Sequence, residues 1–585
     1  MQKNAVFHKS SENMCYQLNK DELVISIKTG YDIDRVVIEY GDPFTSGIAG
    51  DRRKWSGKQE EITEKCELQN HIWWTIKLKP QYKRCKYFFK LFSGEESLYF
   101  LESGFLTEEQ KNTTKKRQEE FYFPWMNEAD INVTPQWAKD TIWYQIFPER
   151  FCNGDSTINP ENTREWKCEK IEKGKYKYRY GGDLQGIINK LQYLKDLGVT
   201  GIYLNPVCES ESDHKYDTKD YMNIDKHFGS NQTMKTLCQT AHSMGIKVMV
   251  DAVFNHCGRK FPQWIDVIKK GEKSKYKDWF MVNKFPIDES APNTKEGQFY
   301  SFSFCAWMPK LNTNNKEVID YFCNVCEFWI NYYGVDAIRF DVANEVSHKF
   351  LKELRNSVKS INKDVYLLGE IWHNSTQWLQ GDEYDSVMNY PLTEAISSFW
   401  LDKTTSAKQF EHNINRCNKM YQQQVTEVLF NMLDSHDTER LISRALGDKN
   451  VFYQQLAILF TMTGSLCIYY GTEIAMDGEG DPDCRRCMPW DEIANGVYNN
   501  EIATMKELIQ LRKSNIACRS SNIKFEQIYG DRVISYVKTA KDRRSIKVII
   551  NADNKEVEVP TGKVLFKRLV ENGKIKKGGT LIIEV

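Results

Sequence analysis

From Thr141 onward the chain alternates short apolar runs of strand type with apolar stripes at helical spacing, and eight such runs occur before residue 470. Residues 142–147 make the first run. Leu184, Ile187, Ile188, Leu191, Leu194 and Leu197 then recur at the helical period, and Gly198 stops that helix. Residues 201–204 are the second strand. Met234, Leu237, Cys238, Ala241 and Met244 form the next stripe, ended by Gly245, and 247–254 the third strand. A long insertion precedes a helix around 318–333, and strands follow at 335–340, 365–368, 386–388, 428–433 and 465–470. Parallel strands need long crossovers, and helical crossovers cover the outside of the sheet they join. This alternation therefore predicts a closed (β/α)8 barrel, an α/β fold whose active site lies at the C-terminal ends of the strands. No internal repeat or low-complexity segment competes with it.

A chain of 585 residues exceeds what one core can organise, so further domains are expected. The first ~125 residues carry strand-type segments at 22–28, 35–40, 72–78 and 84–91 between polar turns, which reads as a β-sandwich. The polar stretch 107–120, then Phe-Pro-Trp and Pro135, marks the boundary. Near the C-terminus, residues 533–537 and 545–550 again read as strands.

Eighty basic residues balance eighty acidic ones, which leaves no electrostatic footprint for nucleic acid or an anionic membrane. The first eighteen residues lack a basic segment followed by an apolar one, and the longest nearly apolar run, 456–470, is too short and interrupted to span a bilayer. A soluble, cytoplasmic protein with neutral partners is expected. Sixteen cysteines, many in apolar runs, agree with buried reduced thiols. Cys323/Cys326 and Cys484/Cys487 have C-x2-C spacing, but one pair sits in a helical pattern and the other in a distant polar loop, so unrelated thiols are expected over a shared zinc site.

Polar groups gather at the predicted strand ends. The fourth strand closes with Arg339 and Asp341, which i, i+2 alternation aims at one face while Ile338 and Phe340 turn away. A carboxylate beside a guanidinium is expected to have a depressed pKa and stay ionised, as a nucleophile requires. The third strand ends in D-A-V-F-N-H (251–256), the fifth in Glu370-Ile-Trp372, and the seventh in Ser435-His436-Asp437. Several carboxylates with histidines and aromatics, and no H-E-x-x-H spacing, point to glycoside chemistry, in which one carboxylate attacks and another acts as acid and base.

The blocks D-A-V-F-N-H, G-V-D-A-I-R-F-D (334–341), G-E-I-W (369–372) and S-H-D resemble, in order and spacing, the four signature regions of the α-amylase superfamily of retaining glycoside hydrolases. M-P-K-L-N (308–312) resembles the extra motif of its neopullulanase, cyclomaltodextrinase and maltogenic amylase group. That resemblance implies an N-terminal β-sandwich over 1–125, a barrel over 126–505 with an inserted domain at 257–312 after strand three, and a C-terminal β-domain over 506–585. It implies Asp341 as nucleophile, Glu370 as acid and base, and Asp437 as transition-state stabiliser. His214, His256, Arg339 and His436 would surround the cleaved sugar, Tyr216 would stack under it, Trp372 and Glu345 would face the acceptor, and Asp481 and Arg485 the donor. Taken by themselves, Asp481 and Arg485 read equally as a loop salt bridge. Asn153, Asp155, Asn159, the Gly181 backbone and Asp183 resemble a Ca²⁺ ligand set, with Ile158 and Asn159 where the pattern has Asn-Asp; an Asn/Gly/Asp turn without metal is the alternative.

Three functions follow as expectations. The first is retaining hydrolysis of α-1,4 bonds in cyclodextrins, pullulan and malto-oligosaccharides, with some transglycosylation and α-1,6 cleavage. The second is a glucanotransferase on the same barrel, and the third a non-catalytic sugar-binding protein. A homodimer built through the N-terminal domain, without nucleic acid or membrane partners, is also implied.

Overall fold

The computed structural model describes residues 1–45, 55–113, 119–174, 178–290 and 292–585. Residues 114–118 of the expected boundary stretch lie outside them. Two compact units are present.

The first comprises Met1–Val133 with Leu379–Gly381 and Ser406–Thr426. Two antiparallel sheets form a sandwich, one pairing Leu23–Thr29 with Ile72–Leu78 and the other Arg35–Gly41 with Cys85–Ser93. Leu23, Ile25, Ile27, Val36, Ile38, Phe89 and Leu91 meet in its core. Trp73, Trp74 and Tyr99, segments that as bare sequence look too apolar for a small sandwich to hide, are buried. Helix Ala407–Lys419, drawn from far along the chain, packs against strand Glu64–Glu67, where Asn415 donates to the Glu67 carbonyl at 2.9 Å.

In the second unit eight parallel strands close a barrel: β1 (Ile142–Ile146), β2 (Gly201–Leu204), β3 (Lys247–Ala252), β4 (Ala337–Phe340), β5 (Tyr366–Gly369), β6 (Ser386–Val387), β7 (Phe430–Asn431) and β8 (Ser465–Tyr469). A parallel bridge from Met388 to Phe430 joins β6 to β7 and completes the ring. The expected architecture is thus observed, with β6 and β7 only two residues long. Trp143, Tyr203, Met249, Ala337, Tyr366 and Phe430 fill the lower barrel. Period-two alternation carries the same inward face upward from each of these plugs, so that Gln145, Asn205, Asp251 and Arg339 form the next layer and Asp341 and Glu370 the one above. Pairing continues past the strand ends: Asp341 N–H donates to the Ala252 carbonyl at 3.1 Å and Glu370 N–H to that of Phe340 at 2.9 Å.

The long helix between β1 and β2, Leu184–Leu197, is capped by Asp183 at its start and by Gly198 at its end, where φ is +100°, a left-handed conformation that suits glycine. After β3 the chain makes an excursion containing helix Pro262–Lys270, and it returns by an antiparallel bridge between His256 and Lys310. Helix Asn499–Ser514 runs across the 505/506 position expected for a domain boundary. Beyond it lies an antiparallel sheet with Val533–Thr539, Ser545–Asn551 and Lys574–Glu584 at its centre. Among the described residues no helix is long and apolar enough to cross a membrane, and all sixteen cysteines are free thiols.

Candidate active site

Arg339 is fully buried at the centre of the barrel mouth. Its Nη1 donates to both oxygens of Asp251, at 2.7 and 2.9 Å, and to Asp341 Oδ1 at 2.9 Å; its Nη2 lies 2.9 Å from Glu370 Oε2. One guanidinium therefore organises carboxylates from three successive strands, a planar donor fork matched to carboxylate geometry.

Above it opens a cavity of about 490 Å³. Asp341, Glu370 and Asp437 line it together with His214, Tyr216, His256, Glu345, Trp372, His436, Asp481 and Arg485, so every expected catalytic and sugar-contacting residue except the submerged Arg339 reaches one space. A second hollow of about 530 Å³ lies in the excursion after β3, between Trp264, Phe299 and Trp307; its acids Asp288 and Glu289 are exposed, so it lacks buried, paired carboxylates.

Burial pushes the Asp341 carboxyl well above the usual carboxylate range; the Arg339 charge opposes this, while Glu370, Asp251 and Asp437 add to it. The depressed pKa expected from R-x-D is thus corrected, because one cation cannot offset desolvation plus three further acids. Glu370 accepts from Val342 N–H at 2.9 Å and from Trp372 Nε1 at 3.1 Å. The Trp372 ring, half exposed, stacks on Tyr390 with centroids 3.7 Å apart.

On the opposite wall Gln145 meets His436 Nδ1 at 2.8 Å, which leaves Nε2 facing the Tyr216 hydroxyl at 2.6 Å and Asp437 at 3.1 Å. Desolvation, with the Arg485 and Arg339 charges, drives the His436 pKa well down, so the ring is neutral. Tyr216 lies parallel to His436, donates to Asp251 at 3.0 Å and accepts from Asn205 at 3.0 Å, so its ring plane is fixed before any sugar arrives. His256 is buried, its pKa lowered to about 3 chiefly by desolvation, and its Nε2 has no protein partner although the residue borders the cavity. Such a buried ring nitrogen needs a ligand or water. Arg485 bonds the His436 carbonyl at 2.9 Å, Asp437 at 3.3 Å and Asp481 at 2.8 Å, so the loop salt bridge and the cavity wall are the same contact.

Asn153, Asp155, Asn159, Gly181 and Asp183 also come together. Asn153 Nδ2 donates to Asn159 Oδ1 at 3.0 Å, and a Cβ on Gly181 would meet both side chains. Both oxygens of Asp183 accept backbone N–H groups, from Gly154, Asp155 and Gly186, while Asp155 accepts from Thr157. Among the described residues no three His, Cys, Asp or Glu side chains converge as a metal site.

Sequence reasoning missed Phe302, Met308, Val342 and Asn344 in the lining, and Asp251, Gln145 and Tyr390 as supports. Phe302 stacks on His256 at 5.0 Å from a loop in which Ser303 and Phe304 both take positive φ.

Residues 1–126 match the family described as "Alpha amylase, N-terminal ig-like domain", and residues 145–544 match "Alpha amylase, catalytic domain". A cyclomaltodextrinase of Geobacillus thermopakistaniensis (strain MAS1) is 41% identical over 565 residues, covering 96% of this chain and 93% of the relative. Neopullulanase 2 of Thermoactinomyces vulgaris is 38% identical over 559 residues, covering 94% and 92%. A solved cyclomaltodextrinase structure superposes with a TM-score of 0.88 at 36% identity, covering 100% of this chain and 98% of that one.

Proposed function

This chain belongs to the α-amylase family and is a glycoside hydrolase acting on α-glucans, and we propose that it cleaves α-1,4-glucosidic bonds in cyclodextrins, pullulan and malto-oligosaccharides with retention of configuration. The observation that carries the reading is the single buried guanidinium bonded to Asp341 and reaching Glu370 beneath a sugar-sized cavity. Two carboxylates gripped by one such group are held near each other, which favours the retaining spacing of roughly 5 Å over the wider inverting one.

In the proposed cycle the ionised form of Asp341, paired with Arg339, attacks the anomeric carbon while Glu370 gives its proton to the departing glycosidic oxygen. A covalent glucosyl ester forms on Asp341. Glu370, now ionised, takes a proton from water, and the hydroxide so formed displaces Asp341 with a second inversion. His256 offers its unpartnered Nε2 to a sugar hydroxyl, neutral His436 holds Tyr216 and Asp437 in place, and the Tyr216 face supports the oxocarbenium-like ring. The exposed Trp372 face favours some transfer to sugar acceptors, because a hydroxyl stacked there competes with water for the same ester.

Proton NMR of the first product tests the reading: the α-anomer is expected, and initial β-anomer overturns it. Parallel rates on cyclodextrin, pullulan and starch rank the substrates.

A structural Ca²⁺ is a further proposal. Asn153, Asp155, Asn159 and the Gly181 carbonyl offer oxygen ligands, but Asp183 spends its charge on three amides, so millimolar affinity is expected. Thermal melting with calcium or with EDTA tests it. At 10 mM calcium a rise of roughly 1 °C is expected, and identical curves reject the ion.

A further inference from the structure

Lys310 holds no place in the cycle above, yet its ammonium is bonded to Glu345, which lines the cavity, with all three donors engaged. It bonds Asn255 Oδ1, the Glu345 carbonyl at 3.2 Å and Glu345 Oε2 at 3.0 Å. An ammonium has three N–H bonds and no acceptor, so nothing remains for a sugar. Its backbone is fixed as well: it pairs with His256 across the antiparallel bridge and donates to the Tyr300 carbonyl at 2.9 Å, while neighbouring Leu311 donates to the Asn255 carbonyl at 3.1 Å. The Lys310 side chain is one-fifth exposed and that of Glu345 44% exposed, and Glu345 lines the cavity.

Glu345 belongs to the turn that follows β4. That turn begins at Val342, a non-glycine residue at φ +45°, whose N–H supports Glu370 at 2.9 Å. The turn therefore stands on the Glu370 side of the cavity, where the leaving group departs and an acceptor enters. His436, Tyr216, Arg485 and Asp481 form the other wall.

We propose that Lys310 is a positioning residue that fixes the Glu345 carboxylate on the leaving-group side, and so sets which linkage is cut and how often a sugar hydroxyl replaces water as acceptor. This rests on the hydrolytic reading above. Glu345 selects by accepting hydrogen bonds from the hydroxyls of the departing or incoming sugar, whose positions differ between α-1,4 and α-1,6 linkages; Lys310 acts only by denying that carboxylate other rotamers. The tether also joins the excursion after β3 to the turn after β4, two segments that must agree for the acceptor side to have one shape.

The test compares wild type, Lys310→Met, Glu345→Ala and the double variant on maltotriose and panose, separating α-1,4 cleavage, α-1,6 cleavage and transfer products by chromatography. Lys310→Met is expected to shift the α-1,4 to α-1,6 ratio about threefold or more, chiefly through KM, while kcat on maltotriose changes less. In the Glu345→Ala background the same substitution should shift the ratio hardly at all. An unchanged ratio in Lys310→Met, or a shift of the same size with and without Glu345, overturns the proposal. Should Lys310→Met fail to fold, Lys310→Arg, which keeps the charge but alters the donor geometry, must shift the ratio in a Glu345-dependent way or the proposal falls. Wild type that cleaves neither sugar would instead refute the hydrolytic reading, and this inference with it.

Discussion

Asp251 and Arg339 are joined by two hydrogen bonds of 2.7 and 2.9 Å with both side chains fully buried, and the same carboxylate accepts from Tyr203 at 2.7 Å and Tyr216 at 3.0 Å. Asp251 thus holds the guanidinium that organises the catalytic acids and the ring proposed to support the sugar, without itself bordering the cavity. Removing this carboxylate leaves Arg339 with Asp341 and Glu370 but takes the acceptor from the buried Tyr203 hydroxyl, and an unsatisfied buried donor costs about 1–3 kcal/mol. Asp251→Ala is expected to lower the unfolding free energy by that amount and to depress kcat. Asp251→Asn, which keeps the shape, should fold better yet remain slow because the Arg339 and Tyr216 contacts weaken. Chemical denaturation beside steady-state kinetics measures both; near wild-type kcat in Asp251→Asn contradicts the role.

Asp341→Asn should be inactive and, at neutral pH, more stable than wild type. The folded-state pKa of Asp341 is raised, chiefly by burial. A raised carboxyl pKa means that the native state holds its proton more tightly than the unfolded chain, so its contribution to stability is full at low pH and lost as pH rises through the folded value. Asparagine carries no such loss, and Arg339 keeps Asp251 and Glu370 as partners. The Tm of Asp341→Asn should exceed that of wild type at pH 7.5, and the gap should close as pH falls toward about 4, the unfolded carboxyl range. A variant less stable at pH 7.5 refutes the argument.

The barrel could be read from sequence because each strand announces itself locally, and Arg339 and Asp341 are visible as a pair because alternation is a local rule. The electrostatics were not. R-x-D shows the cation beside the nucleophile, whereas Asp251, Glu370 and Asp437 reach it only through strand pairing and barrel closure. Likewise Phe410, Ile414 and Cys417 make a stripe like that of any barrel helix, and nothing local tells that helix 407–419 belongs with the N-terminal sandwich. Tyr390 under Trp372 carries no motif at all. Trp73 and Trp74 are buried, and nothing in their local sequence says which strand face meets the second sheet.

Glu370→Gln is expected to lose at least ~10²-fold in kcat on unactivated glucans, the typical share of general acid catalysis, while binding oligosaccharide almost as well. The amide oxygen can keep the contact that Val342 N–H makes to one carboxylate oxygen, while the NH2 placed opposite Trp372 Nε1 can neither accept from it nor deliver a proton. Substrates with a good leaving group should lose less in the bond-breaking step, because they need no protonation. Turnover near wild type on maltotriose removes the acid assignment; an equal loss on activated and unactivated substrates assigns the residue to positioning instead.

The N-terminal unit is proposed to assemble the enzyme as a homodimer. With Trp73, Trp74 and Tyr99 buried, the surface that can serve is a different one: Phe44, Tyr82 and Trp125 are each about half exposed, and the Arg84 guanidinium lies over Phe44 at 4.8 Å and Trp125 at 5.7 Å. Aromatic residues with arginine are the side chains that anchor protein interfaces, and a permanent two-fold contact buries at least ~2,000 Å². A truncation beginning near Asn132 would remove the strand on which helix 407–419 packs, so point variants of the full chain discriminate better. Light scattering of the full chain at micromolar concentration should give a dimer mass. Tyr82→Ser with Trp125→Ser should shift it toward monomer and lower the ratio of cyclodextrin to starch hydrolysis, since a second subunit narrowing the cleft disfavours long chains. A monomer mass for the unaltered protein rejects the dimer, and an intact dimer in the double variant moves the interface away from this aromatic cluster.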